Sequence, residues 1–174
     1  MQGNKFARFP VRAGGGVATE THDPFRASNK GGGEVSCSNM KHLKRLEEEV
    51  SAWPEKSVHA HRFGGREFRF GSAEVGHVHE GGVVDIPFPR SVRDALLAEG
   101  LAEEHRWVPN SGWITFHVRS EEDFNHAVWL LRLSYLRYAM KAAPDPCELL
   151  DRQSQELDLS PNFRSLLEPL LPVP

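Results

Sequence analysis

The chain has 174 residues, of which 39% are apolar and 26% charged, and its formal net charge is −3. That length suits one domain with tails, and the composition excludes a collagen, a coiled coil, a disulfide scaffold and a wholly disordered acidic chain. The slight negative charge also argues against nucleic-acid binding through phosphate neutralisation. Residues 1–39 hold two Gly triplets, Gly14-Gly15-Gly16 and Gly31-Gly32-Gly33, and show no sustained period of 2 or 3.6. Such a segment buries too little apolar surface to offset its ordering entropy, so a disordered Gly-rich segment is expected. It contains no apolar run of the signal-peptide kind. The longest apolar stretch, Ala127 to Met140, is broken by Arg132 and Arg137 and is too short and too charged to span a bilayer. A soluble, cytoplasmic protein is the expectation. Cys37 and Cys147 are the two cysteines, and they form no zinc ladder.

Periodicity begins at Met40, which makes Met40 a candidate for the natural start. Met40, Leu43, Leu46, Val50 and Trp53 recur at three- and four-residue spacing. With Asn39 as N-cap and Pro54 as the stop, they predict an amphipathic helix. A Gly64-Gly65 pair between His59–Phe63 and Arg66–Phe70 predicts a tight hairpin, and Gly81-Gly82 between Ala73–His79 and Val83–Phe88 predicts a second. Arg90 to Glu99 reads as a short helix with Ser91 as N-cap, Val92, Ala95 and Leu96 as its apolar face and Gly100 as its stop. His105–Val108 and Trp113–Arg119 flank the turn Pro109-Asn110-Ser111-Gly112 and predict a third hairpin, with Trp107 packed on Trp113. Ser120 then caps a long, largely buried helix whose first turn holds Glu121, Glu122 and Asp123. After Pro144 come two Leu clusters among six acids and only two basic residues, Arg152 and Arg164. This acidic tail either packs on the domain or hangs free. The expected organisation is therefore a disordered segment 1–39, one domain over 40–143 and a tail over 144–174. The expected fold is α+β, an antiparallel sheet of hairpins with helices mainly on one face.

The chemistry-bearing cluster is Glu74-Val75-Gly76-His77-Val78-His79. Alternation along a strand puts His77 and His79 on one face, about 7 Å apart. Two imidazoles at that spacing can share a metal or act together on one bound molecule. A two-residue loop at Gly81-Gly82 would pair Val84 with His79 and Ile86 with His77. Asp85 would then face Val78, and Asp85 and Glu74 would lie on the opposite face of the sheet. That register opposes a simple two-His, one-carboxylate site, and a bulge at Gly76 or Gly82 would change it. A histidine pair on a strand is also a common structural feature. His59, His61, His105 and His117 strengthen a functional reading as a group, although each singly reads as a surface residue. No GxSxG, Walker A or dinucleotide-binding pattern occurs in the sequence.

Several of these motifs together resemble the luciferase-domain family. They are Arg62-Phe-Gly-Gly-Arg-Glu-Phe68, Glu74 to His79, Asp85-Ile-Pro-Phe-Pro89, His105, Ser111-Gly-Trp113 and Leu130-Leu-Arg-Leu-Ser-Tyr135. The likeness covers about residues 42–140. The family takes its name from the fungal luciferases, in which a Glu-Ile-Ala-His-Met-His stretch matches Glu74 to His79 and a later His matches His105. Those enzymes oxygenate a hydroxylated pyrone with molecular oxygen and need no separate organic cofactor. The resemblance implies a small oxygen-using enzyme, an oxidoreductase of the monooxygenase kind, acting on a hydroxylated aromatic or pyrone-like molecule. His77, His79, Glu74 and His105 would be its catalytic residues; apart from the resemblance, Asp85, Trp107, Trp113 and Tyr135 are the candidates for substrate binding. No organic cofactor is expected and molecular oxygen would be the co-substrate. A metal is left open, with His77 and His79 as its ligands, short of a full set. The expected partner is a small molecule, with no nucleic acid and no membrane, and the oligomeric state stays open. The other reading is a non-catalytic domain that binds a small molecule or a partner.

Overall fold

The structure is a computed structural model, and it describes residues 32–171. Residues 1–31, which hold most of the segment expected to be disordered, lie outside the described residues. The first helix, α1, runs Gly32–Ser51, so it starts eight residues upstream of the Met40 start that the apolar spacing predicts. Its apolar stripe is as expected, with Leu43, Leu46 and Val50 buried.

Six strands follow: β1 (Lys56–Ala60), β2 (Arg66–Phe70), β3 (Ala73–Val78), β4 (Val83–Pro87), β5 (Glu103–Glu104) and β6 (Trp113–His117). They form one antiparallel sheet in the order β1-β2-β3-β4-β6-β5. The first hairpin is wider than a Gly-Gly turn. Ala60 pairs with Arg66, and the intervening residues form a 3₁₀ turn at Arg62–Gly64. The third hairpin also differs. The partner of β6 is Glu103–Glu104, not His105–Val108, so residues 105–112 form a loop. Trp107 stands on that loop, 74% exposed, and does not pack on Trp113.

The helix α2 (Arg90–Ala98) starts after Pro89, not Ser91, and buries Val92 and Leu96. Proline fixes φ and leads into a helix at no cost in backbone hydrogen bonds. The long helix α3 (Glu121–Ala142) begins as the sequence predicts, with Ser120 accepting from the Asp123 backbone N–H. It packs across β2, β3, β4 and β6, and α1 packs against α3 and β1. Phe68, Val75, Val78, Val84, Ile86 and Ile114 from the sheet meet Leu130, Leu131 and Leu133 from α3 in one core. The acidic segment after Pro144 packs rather than hangs free. It forms α4 (Pro146–Glu156) and α5 (Pro161–Leu167) and adds Leu150, Leu157, Phe163 and Leu167 to the core. The architecture is α+β. No described helix is long and apolar enough to cross a membrane.

Candidate functional site

The sheet face turned away from α3 carries a row of polar side chains. Register sets the row: His59 pairs with Glu67, Glu67 with His77, His77 with Asp85, Asp85 with Thr115 and Thr115 with Glu103. Cross-strand partners share a face, so these residues line up across the sheet.

Two backbone irregularities place the carboxylates in this row. In β3, Gly76 pairs with Phe68 while Glu74 pairs with Arg69. Val75 is thus an extra residue, and the bulge turns Glu74 to the same face as His77. Gly76 suits this point because an added Cβ would lie 2.9 Å from Leu131 Cδ2 and 3.0 Å from the Asp85 carbonyl oxygen. The bulge also leaves carbonyls outside the regular ladder, and α3 satisfies them. The Ser134 hydroxyl donates to the Val75 carbonyl (2.8 Å) and the Tyr138 hydroxyl to the Glu74 carbonyl (3.0 Å).

The second irregularity is the loop after His79. The His79 N–H donates to the Val83 carbonyl (2.8 Å) and the Gly82 N–H to the His79 carbonyl (2.9 Å). The loop therefore has three residues, Glu80-Gly81-Gly82, with Gly82 in the left-handed region at φ 77°. A three-residue loop of this kind shifts the register by one relative to a two-residue turn. His77 consequently faces Asp85, not Ile86. This corrects the register expected from the sequence, which had placed Asp85 and Glu74 on the other face.

The resulting geometry is compact. Nδ1 of His77 lies 2.6 Å from Oε1 of Glu74. An ionised carboxylate only accepts, so the hydrogen is on Nδ1 and Nε2 of His77 is turned to the cluster. Oδ2 of Asp85 is 3.3 Å from Nε2 of His79, 3.4 Å from Nε2 of His77 and 3.7 Å from Nε2 of His105. Its other oxygen accepts from the Thr115 hydroxyl at 2.6 Å. The His105 Nδ1 accepts from the Trp107 backbone N–H at 3.1 Å. The Trp113 ring borders His77 and His105, at 5.4 and 6.1 Å between centroids.

Burial and charge separate the ionisation of these groups. Burial alone would lower the pKa of His77, but Asp85 and Glu74 beside it outweigh burial and raise it to about 9. Burial alone would raise Asp85, yet His77, His79 and Thr115 hold it well below the usual carboxylate range. His61 moves the other way: burial, then the charges of His77 and His79, lower it.

Of the residues singled out in the sequence, Glu74, His77, His79, Asp85, His105 and Trp113 come together here. Tyr135 does not. It is buried on the α3 side of the sheet, where its hydroxyl donates to the Pro54 carbonyl at 3.2 Å and its ring meets Trp53 and Phe70. Trp107 stands exposed at the loop tip with the Arg106 guanidinium over its ring. The sequence reading counted His61 only within a group of histidines, singly a surface residue, and did not place it in the site, where its ring stacks on His77 at 4.0 Å between centroids; it missed Thr115. A signal for His61 did exist, because His59-x-His61 repeats the spacing of His77-x-His79 and ends at the Gly64-Gly65 turn that returns the chain beside β3.

This is an α+β domain whose open sheet face gathers imidazoles and carboxylates over a buried, helix-covered core. Residues 72–134 match the family model of the Luciferase domain, so this stretch of the chain is similar to that family. The matched residues include Glu74, His77, His79, Asp85, His105 and Trp113, but not His61. No curated protein and no solved structure matches the chain.

Proposed function

We propose that this protein is a small oxygen-using enzyme, an oxygenase-like oxidoreductase acting on a hydroxylated aromatic or pyrone-like molecule. The observation that carries the reading is the convergence of Glu74, His77, His79, Asp85 and His105 on one sheet face within the stretch that matches the luciferase domain. The chemistry asks for a base that takes a hydroxyl proton and for donors at the oxygen that becomes anionic. Imidazoles fixed by carboxylates serve both needs. Glu74 orients His77, Asp85 orients His79, and the flat face of Trp113 offers a surface on which an aromatic or pyrone ring stacks.

The reaction balances without an added reductant. The substrate hydroxyl gives its proton to an imidazole. The electron-rich anion that remains transfers electrons to molecular oxygen, and a carbon–oxygen bond forms as a peroxide anion. That anion takes a proton back from the imidazolium, so one substrate and one oxygen molecule yield one hydroperoxide. No organic cofactor enters this scheme, and a cytoplasmic location belongs to the same reading.

An oxygen electrode tests it, with hydroxylated pyrones and phenols supplied to the purified full chain. Oxygen uptake is expected with the wild type and a loss of about 100-fold or more with His77→Ala. Binding without oxygen uptake would identify a non-catalytic binding domain. Neither binding nor uptake, or uptake unchanged in His77→Ala, would refute the proposal.

A further inference from the structure

We propose that His61, His77 and His79 form a site for one divalent transition-metal ion of the zinc or iron(II) kind. It goes beyond the function proposed above and does not depend on it, because ion binding needs only these three rings. One ligand atom from each residue can be taken such that all three lie within 4.8 Å of one another. The rings lie close, with centroids 4.0 Å apart for His61 and His77, 5.0 Å for His77 and His79 and 5.4 Å for His61 and His79; because His61 is stacked on His77, its ring must turn for both nitrogens to reach one ion. Imidazole nitrogen suits ions of this class better than calcium or magnesium, which prefer oxygen.

Three further features fit an ion. The first is an outer layer of carboxylates, one beside a nitrogen of each ring. Glu74 stands 2.6 Å from Nδ1 of His77, and Asp85 3.3 Å from Nε2 of His79 and 3.4 Å from Nε2 of His77, while Glu67, paired with Arg69, is 3.9 Å from Nδ1 of His61. Metal-bound histidines commonly have such partners, which fix the ring and make it a better donor. The second feature is charge. Asp85 and Glu74 form ion pairs only with histidines among the described residues, and no Lys or Arg pairs with either. A divalent cation held by the rings adds positive charge beside these two carboxylates. The third is access. The His61 and His79 side chains are 20% and 30% exposed, so the ion can enter from solvent. A site with three protein ligands also keeps a position open, which is the arrangement of reactive rather than purely structural metal sites.

The sequence explains why three histidines meet. β1 and β3 are not neighbours, yet both flank β2. The 3₁₀ turn at Arg62–Gly64 carries His61 over β2 so that its ring reaches His77. Gly65 permits this close crossing, since a Cβ there would lie 2.5 Å from the Val78 carbonyl oxygen.

The test is a titration of the chelator-treated full chain with Co2+, followed by visible absorption and by NMR of the histidine rings. One equivalent is expected to give a saturable ligand-field absorption that Zn2+ displaces. Paramagnetic broadening is expected to centre on the His61, His77 and His79 rings and to spare His126. His61→Ala should abolish stoichiometric binding. Glu74→Gln, which removes only an orienting carboxylate, should weaken it about tenfold or more. The absence of a saturable absorption in the wild type, or broadening centred on other histidines, would overturn the proposal whether or not the variants fold. Metal binding without oxygen uptake would remove the function proposed above and leave the site standing. Oxygen uptake in protein that binds no ion would do the reverse.

Discussion

Asp85 is the residue on which the candidate site turns. It lies 6% exposed inside the apolar run of β4, and a charge there is tolerable only with partners. Thr115 supplies one of them through its hydroxyl, at 2.6 Å. Thr115→Val keeps the shape of the side chain and removes this donor to a charged acceptor. It is expected to cost about 1.5–3 kcal/mol, measured by urea denaturation. His126, on the other side of the molecule, gives a prediction about pH. Its Nε2 lies 2.7 Å from the Leu101 carbonyl, which fixes the neutral ring as donor, and its ring packs on Phe116 and Trp129. Burial lowers its pKa below the ordinary 6.5, and the bond to the Leu101 carbonyl, then the charges of Asp123 and Glu122, counter this only in part. The unfolded chain therefore binds the extra proton first as pH falls below 6.5, and stability declines with it. His126→Phe is expected to flatten the fall in denaturation free energy between about pH 7 and 5. An unchanged slope would show that other groups set it.

At the scale of elements, the two irregularities of the β3–β4 hairpin decide what the strands present. The bulge at Val75 needs Gly76, because an added Cβ would meet Leu131 and the Asp85 carbonyl. Gly76→Ala is expected to destabilise the fold by about 1–3 kcal/mol. It should also separate Glu74 from His77, seen as a changed His77 ring signal in NMR. Ser134→Ala probes the same bulge from α3. Loss of the donor to the buried Val75 carbonyl is expected to cost about 1–3 kcal/mol. The alternation of His77 and His79, the Ser120 cap and the apolar stripes of α1 and α3 were legible in the sequence, because each is a local pattern. The register of Asp85 was not. Glu80-Gly81-Gly82 fits a two- or a three-residue loop equally well. The choice depends on contacts from distant strands, such as the Val118 N–H donating to the Gly82 carbonyl at 2.8 Å. The third hairpin was misplaced for the same reason: His105 to Val108 alternates no better than Glu103–Glu104, and only pairing with β6 selects between them.

For the whole molecule, the acidic C-terminal segment belongs to the core. The Trp129 indole N–H donates to the Leu157 carbonyl at 2.9 Å, and its ring meets Phe163 edge-on. Phe163→Ala is expected to cost about 3–5 kcal/mol by denaturant titration. Leu150, Leu157, Phe163 and Leu167 are each worth about 1.5–3 kcal/mol when buried. Together they rival the roughly 5–15 kcal/mol that holds a domain folded, so a chain ending at Ala143 is not expected to fold. The sequence left this segment undecided because its apolar spacing is legible while the surface that receives it, on α3, belongs to another element. The same division holds for the site. The glutamate–histidine string of β3 marks the place, and the fold adds His61 from β1's end, Asp85 from β4 and Thr115 from β6.

The sheet face proposed to receive the small molecule is the one that carries the imidazoles and carboxylates. Nitrogen-15 NMR of the histidine rings during titration with a hydroxylated pyrone tests this proposal most directly. The His61, His77, His79 and His105 signals are expected to move together and saturate at one ligand per chain, while His42 and His126 stay fixed. Signals that do not move, or shifts spread evenly over His42 and His126 as well, would contradict it.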